Sequence, residues 1–272
     1  MGPQTPAPGS SVNYDNGVQH GNSSDFSSHA DSIDDQPWGH IWSSKPKDSF
    51  RIVFVNIGGI PADERDPKME AIKQYTLNLN AQAIGLTECN VHWKKVPAFA
   101  RLHERTLGWF EALGINTAYH EKYAAGSIFQ PGGVSLWSIG VGVHRTQSTG
   151  QDPSGLGRWA WTRYRGRQGI HLRVVTAYRP VLNPSGAMSV WNQHKTHFEA
   201  KDDDRCPRDI FIVDILKEVQ TWLEEGDQIV IGIDANEDVR TGKLAKAFRG
   251  EGLIELCTTR HGQNGPTTYD RG

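Results

Sequence analysis

Cysteine is scarce. Three in 272 residues, Cys89, Cys206 and Cys257, stand far apart and form no paired metal-ligand spacing. So few thiols fit a reducing compartment, and the expected location is intracellular, cytoplasmic or nuclear. Long apolar runs are missing: none approaches the roughly 18 residues of a membrane span, so no membrane span is expected. The first residues lack the basic-then-apolar order of a secretion signal. Met1-Gly2 opens like a myristoylation site, but Pro6 stands where Ser or Thr is needed. Charge of one sign is missing too. The formal net charge is −2; residues 1–49 carry two lysines against six aspartates, and the remainder holds 27 basic and 25 acidic residues. A balance that close gives no electrostatic case for nucleic acid or membrane, so any such case rests on a site.

With 37% hydrophobic content, the chain has enough for one substantial core. Residues 1–49 are Ser, Asn, Asp, Gly and Pro in changing order, with too little apolar surface to offset the entropy of ordering them. The expected organisation is a disordered polar tail over 1–49 and a single domain over 50–272. His20, His29 and His40 are scattered through the tail without ligand spacing.

Within the domain, Phe50 to Val55 reads as the first strand and runs into Asn56-Ile57-Gly58-Gly59-Ile60, where two glycines permit a tight bend. Asp66-Pro67 reads as a helix start, with Ile72, Thr76 and Leu79 on its apolar side. Ala83 to Leu86 is a second buried strand leading to Thr87-Glu88-Cys89-Asn90. The spacing of Phe99, Leu102, Thr106, Trp109, Phe110 and Leu113 predicts a helix over 96–113, stopped by Gly114. Gly132 to Trp137 and Ile139 to Val143 read as strands. Gly157 to Tyr164 and Ile170 to Ala177 read as a hairpin turning through 166–169, with its return strand pointing Tyr178 outward. Arg158, Arg163, Arg165 and Arg167, interleaved with Trp159, Trp161 and Tyr164, have two readings: phosphate contacts with base stacking, or core tryptophans beside solvated arginines. The polar connection from Pro184 to Arg208 holds His194 and His197 at a spacing that suits one helical face, without a third ligand. Pro207 starts the clearest helix, with Ile212, Ile215, Leu216, Val219, Trp222 and Leu223 on one face and Gly226 at its end.

That helix delivers the chain into Gln228 to Val239. Ile229, Val230, Ile231 and Ile233 form the β-branched run of a strand covered on both faces. Asp234 and Asn236 follow, a carboxylate and an amide that extended chain points the same way, suited to an attacking water and a phosphate oxygen. An Asx-rich turn is the alternative. Four strands thus end in a polar group: Asn56, Glu88, Tyr178, and Asp234 with Asn236. Ends gathered at one rim would give a carboxylate for a hard cation and donors for a phosphate.

In this order the motifs resemble the endonuclease/exonuclease/phosphatase superfamily, over about residues 50–272. The resemblance implies an α+β, DNase I-like four-layer α/β/β/α sandwich. It assigns Asn56 and Glu88 to a Mg²⁺ or Mn²⁺ site, Glu88 as the metal-binding acid although Thr87 stands where Gln is more usual. Tyr178 matches the tyrosine on the scissile phosphate, and Asp234 and Asn236 match Asp-x-Asn, aligning water and steadying phosphate. Asn56-Ile57-Gly58-Gly59 and the Trp-rich hairpin look most like endonuclease domains of retroelements, which implies DNA as partner and a reverse transcriptase in a complete element. The family's closing Ser-Asp-His occurs nowhere in the 272 residues, and the sequence stops at Tyr269-Asp270-Arg271-Gly272. The expectation is a domain whose C-terminal strands are missing and which is nearly inert as a nuclease even with Mg²⁺. Expected functions are a Mg²⁺-dependent DNA endonuclease first, a phosphoinositide or other phosphoester phosphatase second, and a catalytically incomplete remnant or binding module third.

Overall fold

The computed structural model describes residues 45–61, 67–123 and 126–262. The tail, apart from 45–49, lies outside the described residues, as do Asp66 and the terminal Tyr269 to Gly272. Along the chain, β1 (Ile52–Asn56), α1 (Pro67–Leu79) and β2 (Ala83–Thr87) form a parallel β-α-β unit, with Met69, Ile72 and Thr76 as the buried face of the helix. Then come α2 (Leu102–Arg105), β3 (Leu113–Ala118), β4 (Val134–Ile139) and α3 (Val141–Arg145). The second half holds β5 (Thr146–Gln151), β6 (Trp159–Arg165), β7 (His171–Tyr178), α4 (Val190–Glu199), α5 (Pro207–Glu224), β8 (Gln228–Asp234), α6 (Lys243–Gly250) and α7 (Leu256–His261). Among the described residues no helix is long and apolar enough to cross a membrane.

The strands form two sheets, ordered β1-β2-β4-β3 and β5-β6-β7-β8. Each contains one parallel pair, β1 with β2 and β7 with β8, and these need helical crossovers. Strand alternation sorts the side chains into three layers of core. Ile84, Leu86, Trp137 and Ile139 face α1; Ala83, Val134 and Leu136 face the second sheet, against Ala160, Tyr164 and Val174. Trp159, Val175 and Ala177 face α5, where Phe211, Ile215, Val219 and Trp222 are buried. Helix, sheet, sheet and helix are therefore stacked in the expected α+β sandwich.

Four elements differ from their sequence reading. Of the apolar residues over 96–113, Leu102, Trp109, Phe110 and Leu113 do pack on the first sheet while Phe99 is exposed, and Pro97 and Gly108, the latter at φ +73, break the backbone into short turns and α2. Gly114 is no helix stop; it sits inside β3 opposite Ser138. The strand expected over 139–143 ends at Ile139, because Gly140 turns at φ +53 into α3. The polar connection contains α4, capped by Ser189, whose hydroxyl accepts from the backbone N–H of Asn192. β8 is half-buried rather than covered on both faces: it pairs with β7 on one side and is the last strand of its sheet among the described residues.

The hairpin arginines divide: Arg165 and Arg167 are solvated as the second reading has it, while Arg158 and Arg163 follow neither. Arg158 is buried, its Nε 2.6 Å from Asp152 Oδ2 and its Nη2 2.8 Å from Asp214. Arg163 and Arg173 converge on the buried Asp227, at 2.7 Å each. Trp159 and Trp161 are core residues, with the Arg173 guanidinium 4.2 Å from the Trp161 ring centre. Only Arg165 and Arg167 are exposed, and Arg167 pairs with Asp48 at 3.0 Å.

One contact sets how closely the sheets approach beside the open edge. Phe54 of β1 points inward over Gly85 and Gly232; a Cβ at Gly232 would lie 2.0 Å from its ring and one at Gly85 2.6 Å. Gly232→Ala should therefore push β8 away from β1 and cost about 1–3 kcal/mol, measured by urea unfolding. The double variant Phe54→Val/Gly232→Ala should recover part of that loss, and strict additivity would dissociate the two positions.

A second expectation concerns acid. His194 on α4 and His120 after β3 are buried, and burial pushes them down to about 3 and about 4. The neighbouring Arg158 adds to this for His194, and His197, whose ring centre is 5.7 Å from that of His120, adds to it for His120. Asp152 opposes the shift in both, and a hydrogen bond to Gln193 opposes it in His120. Both rings stay neutral in the folded chain while the unfolded chain takes up protons below about pH 6.5. Their contribution to stability is complete above that pH and is lost as pH falls toward about 4 and 3. In urea unfolding at pH 6.5, 6 and 5, His194→Gln should flatten the slope by up to about 1.4 kcal/mol per pH unit; an unchanged slope would show that His194 titrates alike in both states.

Candidate active site

Parallel pairing aligns strand ends. Asn56 sits opposite Thr87 at the end of β1 and β2, and Tyr178 opposite Asp234 at the end of β7 and β8. The sandwich brings these two ends to one rim. Asn56 follows Phe54 by two residues and Asp234 follows Gly232 by two, so both face the inter-sheet space just beyond the contact that fixes its width. There the Asn56 amide Nδ2 donates to Asp234 Oδ2 at 2.7 Å, while Asn56 Oδ1 accepts from the Gly58 backbone N–H at 3.0 Å. Using both ends of the amide fixes its orientation.

Glu88 follows β2 in a left-handed conformation, φ +52, and Asn90 repeats it at φ +57. Such residues are uncommon outside glycine and mark a backbone held by its surroundings. Here the loop after β1 holds it: Gly59 N–H donates to Glu88 O at 2.7 Å and Ile60 N–H to Cys89 O at 2.8 Å. On the other side, Asn90 Oδ1 accepts from Gly132 N–H at 2.8 Å.

Tyr178 does not point outward. It is 6% exposed, and its hydroxyl lies close enough to Glu88 across the sheets and to Asn236 along the rim for both to act on its ionisation. Burial pushes this phenol up first, the Glu88 charge and hydrogen bond and the Asp234 charge push it further, and Asn236 opposes them. Tyr178 is thus a neutral donor throughout the physiological range. Asp234 is also raised, by burial, against the stabilising bonds from Asn56 and from the Asn236 backbone N–H. Asn236 itself is left-handed, φ +48, and its Nδ2 donates to Arg179 O at 2.8 Å.

All five residues singled out in the sequence, Asn56, Glu88, Tyr178, Asp234 and Asn236, therefore meet at one rim, with Asn56 hydrogen-bonded to Asp234 and the Tyr178 phenol within reach of the Glu88 and Asp234 charges. The exposed hairpin arginines do not join it. Arg165 and Arg167 flank the turn before β7, and Tyr178 is at that strand's far end, about 23 Å away along the extended chain. The sequence reading missed Arg179, Arg208 and Glu237, which surround the loop after β8. Two of them stand immediately after a motif residue, Arg179 after Tyr178 and Glu237 after Asn236, which was their one available signal.

The donor set is entirely oxygen: the Glu88 and Asp234 carboxylates, with the Asn56 amide oxygen and the Tyr178 phenol beside them. Two carboxylates in a partly desolvated rim favour a hard divalent cation over a soft one. Among the described residues no three His, Cys, Asp or Glu side chains are grouped to hold an ion. A cation bound at Glu88 would keep several ligands as water or substrate oxygens, which is the habit of Mg²⁺.

No protein-family model and no curated protein matches the chain. Solved structures do. The human Nocturnin catalytic domain with bound sulfate anion superposes with a TM-score of 0.51 at 13% identity, over 80% of this chain and 76% of that one. An endonuclease/exonuclease/phosphatase family protein from Leptotrichia buccalis gives 0.49 at 12% identity, over 77% of each chain. An AP endonuclease from Archaeoglobus fulgidus gives 0.42 at 13%, over 74% of this chain and 63% of its own. Two sheets of this topology, flanked by helices and superposing on the first of these, give the chain the expected DNase I-like fold.

Proposed function

We propose that the chain is a divalent-cation-dependent phosphodiesterase that cleaves DNA by in-line attack of water. The observation that supports this best is the pair of contacts between the sheets, Asn56 with Asp234 and Tyr178 with Glu88, which puts two acids, an amide and a neutral phenol around one point. Mg²⁺ or Mn²⁺ held by Glu88, with Asn56 beside it, would neutralise charge developing on the phosphate. Asp234 orients the attacking water. Its burial makes it a better base than an exposed carboxylate, so it takes the proton as the water oxygen bonds to phosphorus. The bond from phosphorus to the opposite, leaving oxygen breaks, and that oxygen takes a proton from solvent. Tyr178 keeps its proton and, with phosphate bound, would turn it from Glu88 to a non-bridging phosphate oxygen, while the Asn236 amide, anchored on Arg179 O, directs its second N–H beside it.

DNA is proposed as substrate from the resemblance of Asn56-Ile57-Gly58-Gly59 and the Trp-rich hairpin to retroelement endonucleases, whose usual partner would be a reverse transcriptase. The buried arginines of that hairpin add no phosphate contact, since they are spent on Asp152, Asp214 and Asp227.

Glu88→Gln should weaken Mg²⁺ binding by about 10-fold or more in calorimetric titration, because a neutral amide replaces an anionic ligand. Equal affinity would remove Glu88 from the cation site. With protein in excess over supercoiled plasmid, Asp234→Asn should slow Mg²⁺-dependent nicking about 10²- to 10⁴-fold while leaving plasmid binding unchanged. Phosphate release from phosphoinositide vesicles without any nicking would replace DNA by a small phosphoester.

A further inference from the structure

Around the loop after β8, two guanidinium groups share one carboxylate. Arg179 donates to Glu237 through Nη1, and Arg208 Nη2 lies 3.8 Å from the same Glu237 Oε2. All three side chains are nearly enclosed, at 2%, 13% and 12% exposure for Arg179, Arg208 and Glu237. A second enclosed cation beside a first is costly unless something else satisfies it. Burial and the charge of Arg179 together push Arg208 below its ordinary value.

What satisfies Arg208 is backbone from both site-bearing strands. From the first turn of α5, its Nη1 donates to Pro180 O, two residues past Tyr178. Its Nη2 donates to Asn236 O at 2.9 Å. One planar group thus ties the chain leaving β7 to the chain leaving β8. The second bond holds the peptide that follows Asn236, a residue in the left-handed region. Relaxing Asn236 to an ordinary backbone conformation would turn that carbonyl away from Arg208, and would also swing its amide off Arg179 O and the Tyr178 hydroxyl. Glu237 completes the brace: its Oε1 accepts from Leu244 N–H at 2.7 Å and Ala245 N–H at 3.3 Å, anchoring the loop to the start of α6.

We infer that Arg208 is a positioning residue for the hydrolytic site: by bridging Pro180 O and Asn236 O it fixes the conformation of Asn236, and through it the hydroxyl of Tyr178 and the carboxylate of Asp234. The inference rests on the hydrolase reading above. Arg208 touches neither substrate nor cation in this role, and its charge is secondary to the fork of donors. Lysine keeps the charge and offers a single ammonium in place of two parallel N–H groups.

Arg208→Met and Arg208→Lys test it together. Both should lower kcat for Mg²⁺-dependent plasmid nicking by about 10-fold or more, the scale expected of a misplacement near 1 Å. The calorimetric Mg²⁺ affinity should stay within about twofold, since the backbone at Glu88 is held by the loop after β1 and not by the Asn236 peptide. Wild-type kcat in Arg208→Lys would overturn the inference and leave charge alone as the role; wild-type kcat in Arg208→Met would overturn it outright. If the parent protein shows no cation-dependent cleavage of DNA or phosphoinositide, the hydrolase reading fails by itself. Hydrogen exchange then decides the brace. Amides 236–238 should exchange faster in Arg208→Met while those of β8 keep their protection, and unchanged exchange at 236–238 would overturn it.

Discussion

The contact between the Phe54 ring and the bare backbone of Gly232 governs the geometry at the rim. Stacked sheets usually keep about 10 Å between them because side chains fill the space. The missing side chains at Gly85 and Gly232 let the Phe54 ring fill the gap, with Thr176 of the second sheet beside it at Gly85. Two residues further along each strand, that spacing is what a direct hydrogen bond between Asn56 and Asp234 requires. A wider gap would leave a solvent-filled slot and two unrelated polar groups.

At the rim the electrostatics follow from enclosure. Asp234 is held by an amide and a backbone N–H rather than by a cation, and burial leaves it raised. Tyr178 is buried and flanked by two acids, which hold its phenol in the neutral form. The arginines nearest the site stand behind it, engaged with Glu237 and with carbonyls, and Lys68 spans Ile57 O and Gly59 O, so among the described residues neither Glu88 nor Asp234 is paired with a basic side chain and a small hard cation would complement them. Positive charge for an anionic substrate would then arrive with the ion, which agrees with a chain that is close to neutral.

Much of this was legible in the sequence because the informative signals were local. β-branched runs ending in polar residues located β1, β2, β7 and β8, and the order of the five site residues was sufficient to suggest the fold. Failures occurred where two periodicities coincided or where tertiary pairing decided. Leu102, Trp109, Phe110 and Leu113 have helical spacing because they pack on one sheet, yet Pro97 and Gly108 forbid the helix. Arg158 and Arg163 look solvated or ligand-directed until Asp152 and Asp227 are brought beside them, and Asp227 lies 64 residues from Arg163. The arginine brace was invisible for the same reason: Arg208 meets Asn236 across 28 residues and a whole helix.

The bond from Asn56 to Asp234 spans 178 residues of chain. Contacts of such sequence separation pay nearly the full loop-closure entropy and form after the local units they join. Each parallel β-α-β unit can therefore assemble early, and the rim exists only once both sheets have docked. During synthesis, with its N-terminal parts emerging first, the chain carries Glu88 and Tyr178 for some time before Asp234 leaves the ribosome. The cluster is thus a late product of folding, and any stall, nick or exchange that delays the docking of β8 leaves a well-formed first sheet with no site on it.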